Sequence, residues 1–251
     1  MDSTMPTYEP QVPYDVVELP SRGLFYAHNK SSVKVTYLTA ADENILTSPN
    51  IINSGRLIDT LIRTKIVDRD VNIDTLLECD KEAILVFLRN TAYGPEYDIN
   101  LIDPTTKKEF PTTVDLSSLD FKKIEVEPDE KGEFSFKLPV SNKNIKFKLL
   151  TGKEVAELAD LENAYKGLEY APVKTKFLEL SITEIDGIRE REKISTMIPS
   201  MPIKDSQELR KYITKAEPGL DLEIPVKTPS GSVVNTKLQF GTAFFRPFFG
   251  L

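Results

Sequence analysis

The chain contains a single histidine and a single cysteine, and these two residues bound the chemistry open to it. Any Ser–His–acid triad would have to use His28. It stands in the polar segment Ala27-His28-Asn29-Lys30, which reads as a solvated loop. Cys79 lies between Glu78 and Asp80, acids that disfavour a thiolate, so it reads as a structural thiol. One cysteine excludes an internal disulfide and a cysteine-based zinc cage. Acids are plentiful: Asp42-Glu43, Glu78 with Asp80, Glu127 with Asp129-Glu130, and Asp160 with Glu162. A carboxylate pair could serve a glycosidase, but 39 acids in 251 residues make chance pairs certain. Gly23 and Gly94 are isolated, so no phosphate-cradling loop is present. Arg189, Arg191 and Lys193 alternate with Glu190 and Glu192, as on a solvated helix face. Arg89 follows an apolar helix and is expected to pair with a carboxylate such as Asp42. No catalytic residue, cofactor site or metal ligand is assigned.

The elements that must position these groups begin at Val16–Tyr26. Val17 and Leu19 flank Glu18 as in a half-buried strand, Pro20 ends the ladder, Gly23 turns, and Leu24-Phe25-Tyr26 restarts a strand. Val33, Val35 and Tyr37 alternate in a further strand. Thr39 with Asp42-Glu43 is a helix start, and Pro49 is its stop. Ser54 can cap a second helix with Leu57, Ile58, Leu61 and Ile62 on one face. Asn72 or Asp74 caps the clearest helix, which carries Leu76, Leu77, Ile84, Leu85 and Leu88 and stops at Gly94.

Residues 95–150 read as alternating strand segments: Tyr97–Leu101, Lys123–Val126, Phe134–Leu138 and Ile145–Leu149. Helical signals return over 151–217. Thr151 caps a helix with Val155, Leu158, Leu161 and Tyr165; a second segment runs through Phe177, Leu178, Leu180 and Ile182; a third spans about 189–199. The last starts at Asp205, with Glu208 as its capping-box partner and Leu209, Tyr212 and Ile213 inward. Leu222–Val226 and Val233–Phe240 flank the turn Pro229-Ser230-Gly231. The expected organisation is an extended arm (1–13), a hairpin with helices (14–94), an inserted antiparallel β module (95–150), a helical segment (151–217) and a C-terminal β module with a Phe-rich tail (218–251). The fold class is α+β: a helical body, an N-terminal β-hairpin and two small antiparallel β modules.

A formal net charge of −7 gives no general attraction to nucleic acid or anionic membrane. No apolar run approaches the roughly 20 residues that cross a bilayer. The polar, Pro-rich opening carries no basic segment followed by an apolar one, so no secretory leader is expected. The tail Phe244-Phe245-Arg246-Pro247-Phe248-Phe249 is costly to leave in water, at about 1.5–3 kcal/mol for each fully buried side chain. Its phenylalanines dock either into the chain's own core or onto a neighbouring subunit. Interface centres favour aromatics and Arg, so Phe244, Phe245, Arg246, Phe248 and Phe249 are the candidate partner-binding residues.

Several short motifs stand in order: Leu19-Pro20-Ser21 with Gly23 and Tyr26; Thr39 with Asp42-Glu43; Asp80, Leu85 and Arg89, then Thr91, Tyr93, Gly94 and Tyr97; Ile185-Asp186-Gly187; Pro218-Gly219-Leu220-Asp221; and Phe244-Phe245-x-Pro247. From about residue 16 to the end this pattern resembles the baseplate hub assembly proteins of T-even-like contractile-tailed bacteriophages. The resemblance implies a structural or assembly role in the virion tail baseplate. It implies synthesis in the host cytoplasm, other baseplate or tail proteins as partners, and no nucleic-acid or membrane partner. Copy number stays open, several copies per particle included, as does retention in the particle against a chaperone's departure. The alternative is a tail-associated cell-wall hydrolase using paired carboxylates. Relatives often look zinc-ribbon-like, with cysteine pairs where this chain has Asp103-Pro104-Thr105-Thr106 and Thr228-Pro229-Ser230-Gly231. The β modules are therefore expected to be degenerate, metal-free ribbons held by packing and strand pairing.

Overall fold

Val17 is the one buried position of strand β1 (Tyr14–Glu18), which pairs antiparallel with β2 (Ser32–Thr36) through Val17 opposite Val33. The computed structural model describes residues 13–26, 29–48, 57–238 and 242–245. Pro49, Ser54 and His28 lie outside them. The connection after β1 is a run of turns, so Leu24-Phe25-Tyr26 is not the second strand expected. Gly23 explains the difference: its φ is +77°, and a Cβ there would sit 2.5 Å from the Asn29 carbonyl carbon. The chain doubles back on itself at this point instead of extending.

Helix α1 (Ala40–Leu46) starts at Thr39, the cap that the sequence suggests, and Asp42 completes a capping box with it. Helix α2 (Leu57–Lys65) buries Leu57, Leu61 and Ile62. Asn72 caps a short 3₁₀ turn (Ile73–Thr75), not the long helix itself. The long helix α3 (Glu78–Tyr93) follows after Leu77 and ends at Gly94, whose φ is +81°.

The strands read between 95 and 150 divide between two sheets. β3 (Glu96–Ile102) pairs with β4 (Glu109–Asp115), a strand the sequence reading missed because Pro111 interrupts it. β5 (Phe134–Lys137) and β6 (Asn144–Phe147) are joined by β7 (Ile182–Ile185) in a three-stranded antiparallel sheet of order β5-β6-β7. Ile182 is therefore in a strand rather than a helix. Lys123–Val126 is not a strand; the pairing occurs just before it, where Phe121 bridges Leu220.

Helices α4 (Gly152–Ala164), α5 (Val173–Ser181) and α6 (Arg191–Met197) follow the expected order, α4 opening on a Thr151–Glu154 capping box. Helix α7 (Ile203–Ala216) begins after Pro202, so Asp205 lies inside its first turn and is not its cap. Its carboxylate instead accepts the Val140 and Ser141 amides at 2.7 and 3.0 Å, tying α7 to the β5–β6 turn. β8 (Glu223–Lys227) and β9 (Val233–Lys237) form the C-terminal hairpin.

Two hydrophobic cores result. The first joins β1–β2, α1–α3, Val114 of β4, Leu222, Leu238, Phe244 and Phe245. The second joins β5–β7 with α5–α7 and receives Leu77. The mixture of helices and small antiparallel sheets is the α+β class expected.

Candidate functional site

Arg89 is 2 % exposed, yet it meets no carboxylate within ion-pair distance among the described residues. Its Nε donates to the Phe244 carbonyl at 3.1 Å, and its two terminal nitrogens donate to the carbonyls of Gly94 (2.7 Å) and Glu96 (3.1 Å). The guanidinium also lies 5.1 and 5.9 Å from the ring centres of Tyr93 and Tyr97. Burial lowers its pKa from the ordinary arginine value. The expected Arg89–Asp42 pair is thus replaced. Asp42 takes Lys65 instead, both buried, and hydrogen bonds from Lys65 and Thr39 outweigh burial to hold its pKa down. Phe244 and Phe245 are each 1 % exposed, packed edge-to-face on one another and, for Phe244, on Tyr97. Both side chains occupy the chain's own core. Arg246, Phe248 and Phe249 lie outside the described residues.

The opening motif converges on Asp80. The Ser21 amide donates to its Oδ1 at 2.9 Å, the Tyr26 hydroxyl donates to its Oδ2, and the Leu77 amide donates to the Tyr26 oxygen at 2.8 Å. Burial, then the adjoining carboxylate, raises the Tyr26 pKa, and burial raises that of Asp80. This is a buried clasp between the β1–β2 connection and the start of α3.

A second clasp joins the two turns at which relatives are expected to carry cysteines. Asp103, 1 % exposed, accepts the amides of Thr105 (2.8 Å) and Thr106 (3.3 Å) within its own turn. Across the gap it accepts the Ser230 amide at 3.2 Å and the Ser230 hydroxyl at 3.0 Å. The Thr228, Ser230 and Ser232 hydroxyls lie within 3.1 Å of one another. Among the described residues no group of His, Cys, Asp and Glu is placed to hold a metal ion. Hydrogen bonds bridge these two turns.

The remaining charged residues fall into two sets. Arg189 is not on a solvated helix face: it reaches Glu133 at 2.9 Å and Glu184 at 2.8 Å, bracing the three-stranded sheet. Arg191 donates to the Ile182 carbonyl at 2.9 Å. Lys193 does lie on an exposed face, paired with Glu190. The other set lines a groove of about 330 Å³ between the start of α3, α4, α5 and the C-terminal hairpin. Its walls are apolar: Leu77, Leu149, Val155, Leu158, Phe177 and Leu222. Its polar lining is Glu78, Cys79, Glu82 and Glu217 with Lys122 and Lys237. Lys122 is set there by backbone pairing, its amide donating to the Gly219 carbonyl at 2.8 Å. Burial and then Glu78 push Glu82 up to about 7; burial also raises Glu78 and Glu217. The Cys79 thiol is raised by burial and by Asp80, as suits a structural cysteine.

No sequence pattern signalled the groove. Its charges come from four separate stretches of chain, so no local spacing unites them. The Asp103 clasp was half visible, since Asp-Pro-Thr-Thr is a turn whose Asp caps its own backbone.

A family model described as T4 bacteriophage base plate protein matches residues 14–246. No curated protein and no solved structure matches the chain.

Proposed function

The chain belongs to the family of T4 bacteriophage base plate proteins, and from this membership we propose that it works at the baseplate hub, as a structural or assembly component acting through protein–protein contacts. The family match over nearly the whole chain carries the reading. The order of its motifs supports the hub in particular. Residue chemistry supports a contact role for the tail beyond Phe245, where Arg246, Phe248 and Phe249 supply a cation and aromatics of the kind interfaces favour. The direct test is infection with phage lacking this gene product. Baseplate wedges should accumulate without central hubs, and purified virions should show by mass spectrometry whether the protein stays in the particle and in how many copies. Normal hubs in its absence would refute the proposal.

One observation favours a second reading, the tail-associated hydrolase. The groove presents Glu82, with a pKa of about 7, close to Glu78 and Glu217, and a raised carboxyl is what a general acid requires. The apolar walls argue against it, because a glycan needs polar donors and acceptors. Peptidoglycan turnover by the purified protein, abolished by Glu82→Gln, would establish it; no turnover removes it.

A further inference from the structure

Strand β1 is an outer strand of its sheet. The Leu19 amide donates to the Ser31 carbonyl at 2.8 Å, which fixes the phase of the ladder: Asp15 and Val17 exchange their backbone bonds with Val35 and Val33. The N–H and C=O groups of Tyr14, Val16 and Glu18 therefore point away from β2. On the far side of β2 the corresponding groups of Lys34 are taken. Its amide donates to Asp68 Oδ2 at 2.7 Å, and its carbonyl accepts the Val67 amide at 2.9 Å. Among the described residues nothing takes those of Tyr14, Val16 and Glu18. Other edge strands carry guards against pairing. Pro111 and Pro225 stand at outward positions of β4 and β8, and Lys137 and Lys237 at outward positions of β5 and β9. β1 instead offers Tyr14 and Val16, 48 and 59 % exposed. What completes a row of open backbone groups is another extended strand.

We propose that β1 pairs antiparallel with β1 of a second copy of this chain, joining the two hairpins into one four-stranded sheet. The inference goes beyond the baseplate reading and rests on none of it. The edge itself selects a copy of the same chain. A two-fold axis at Val16 sets Val16 opposite Val16 of the second copy, and Tyr14 opposite Glu18 on either side of the axis. All three outward residues then meet outward residues, and each pair exchanges two backbone bonds. A shifted two-fold register leaves at least one outward residue of β1 without a β1 partner. The side chains on this face match as well. Lys34 stands over the Tyr14 ring, 5.3 Å from its centre, and Glu18 makes no ion pair among the described residues. Pairing brings Glu18 to Tyr14 of the second copy, beside that copy's Lys34, so opposite charges meet at both ends. The two Glu18 carboxylates stand four positions apart along the strands. At roughly 3.4 Å per residue that is about 13 Å, beyond the screening length of about 8–10 Å at ordinary salt.

The test uses the full chain in solution. Sedimentation equilibrium across the micromolar to millimolar range should show a mass rising from that of one chain towards that of two. Val16→Pro removes an outward donor at the kind of position that Pro111 and Pro225 already occupy. It should keep the thermal midpoint of the dilute protein and weaken dimerisation about tenfold or more. If it lowers that midpoint, Val16→Lys should give the same loss, because it opposes two like charges at the axis and leaves the backbone as it is. Mild oxidation should link Val16→Cys to itself, since Cα atoms in such a pair stand about 5.5 Å apart, within disulfide reach. Tyr14→Cys and Glu18→Cys should each stay unlinked alone and link when mixed. A mass of one chain at every concentration, or a dimer indifferent to both Val16→Pro and Val16→Lys, would overturn the pairing. So would a Val16→Cys chain that links no more than the wild-type protein with its own Cys79, or a Tyr14→Cys chain that links to itself as readily.

Discussion

At the scale of single residues, Arg89 and Glu82 respond to their surroundings in opposite ways. Arg89 is held by three carbonyls in a planar fork, which a lysine cannot reproduce. Arg89→Lys keeps the charge but leaves at least one buried carbonyl unpartnered, so it should lower stability by about 3 kcal/mol in urea unfolding. A change below about 1 kcal/mol would show that the carbonyls find other donors. Glu82 is destabilised by its surroundings. Its pKa rises from 4.5 to about 7 on folding, so between those values the folded state holds a proton that the unfolded state has lost. Its contribution is therefore fully present below the unfolded pKa and lost as pH rises through the folded one. Thermal midpoints of the wild-type protein should fall over that window. Glu82→Gln should flatten the fall and raise the midpoint near about pH 8. Glu78 and Glu217, raised in the same direction, will leave a residual slope. Identical profiles for both proteins would mean that Glu82 is solvated in solution.

At the scale of elements, the two clasps decide how the hairpins sit on the helical body. Asp103 fastens the β3–β4 turn to the β8–β9 turn through Ser230. Asp103→Ala should release both turns without unfolding either hairpin, because the ladders of β3–β4 and β8–β9 are left intact. Hydrogen exchange should then speed up at the amides of Thr105, Thr106 and Ser230 while the strand amides stay protected. Loss of protection throughout β8–β9 would show that the clasp holds the hairpin together instead of aiming it. What was legible at this scale was local. The Thr39 and Thr151 caps, the Gly94 stop and the Pro229-Ser230-Gly231 turn each depend on residues within a few positions of one another. The errors share the opposite cause. Asp205 fits the spacing of a cap, but the β5–β6 turn some 60 residues earlier claims its carboxylate. Ile182 continues an apolar helical stripe, but β6 offers it a sheet edge. Arg89 donates to the Phe244 carbonyl 155 residues on, and the groove gathers residues between 77 and 237. Nothing in a window of sequence encodes those meetings.

At the scale of the whole molecule, the C-terminal tail divides at Phe245. Phe244 and Phe245 fill the first core, and the Phe244 carbonyl also satisfies Arg89. Deleting 242–251 removes both rings, at about 1.5–3 kcal/mol each, from a fold whose total stability is on the order of 5–15 kcal/mol. That truncation should be insoluble or should melt far below the full chain. Deleting only 246–251 leaves both rings and the Arg89 contact in place. It should fold with the midpoint of the full chain, yet fail to support hub assembly if Arg246, Phe248 and Phe249 make the partner contact. The two truncations separate a residue's part in the core from its part in an interface, which loss of the entire tail cannot do. Unfolding of the shorter deletion would mean that the last six residues also belong to the core. Normal assembly with it would remove the tail from the interface.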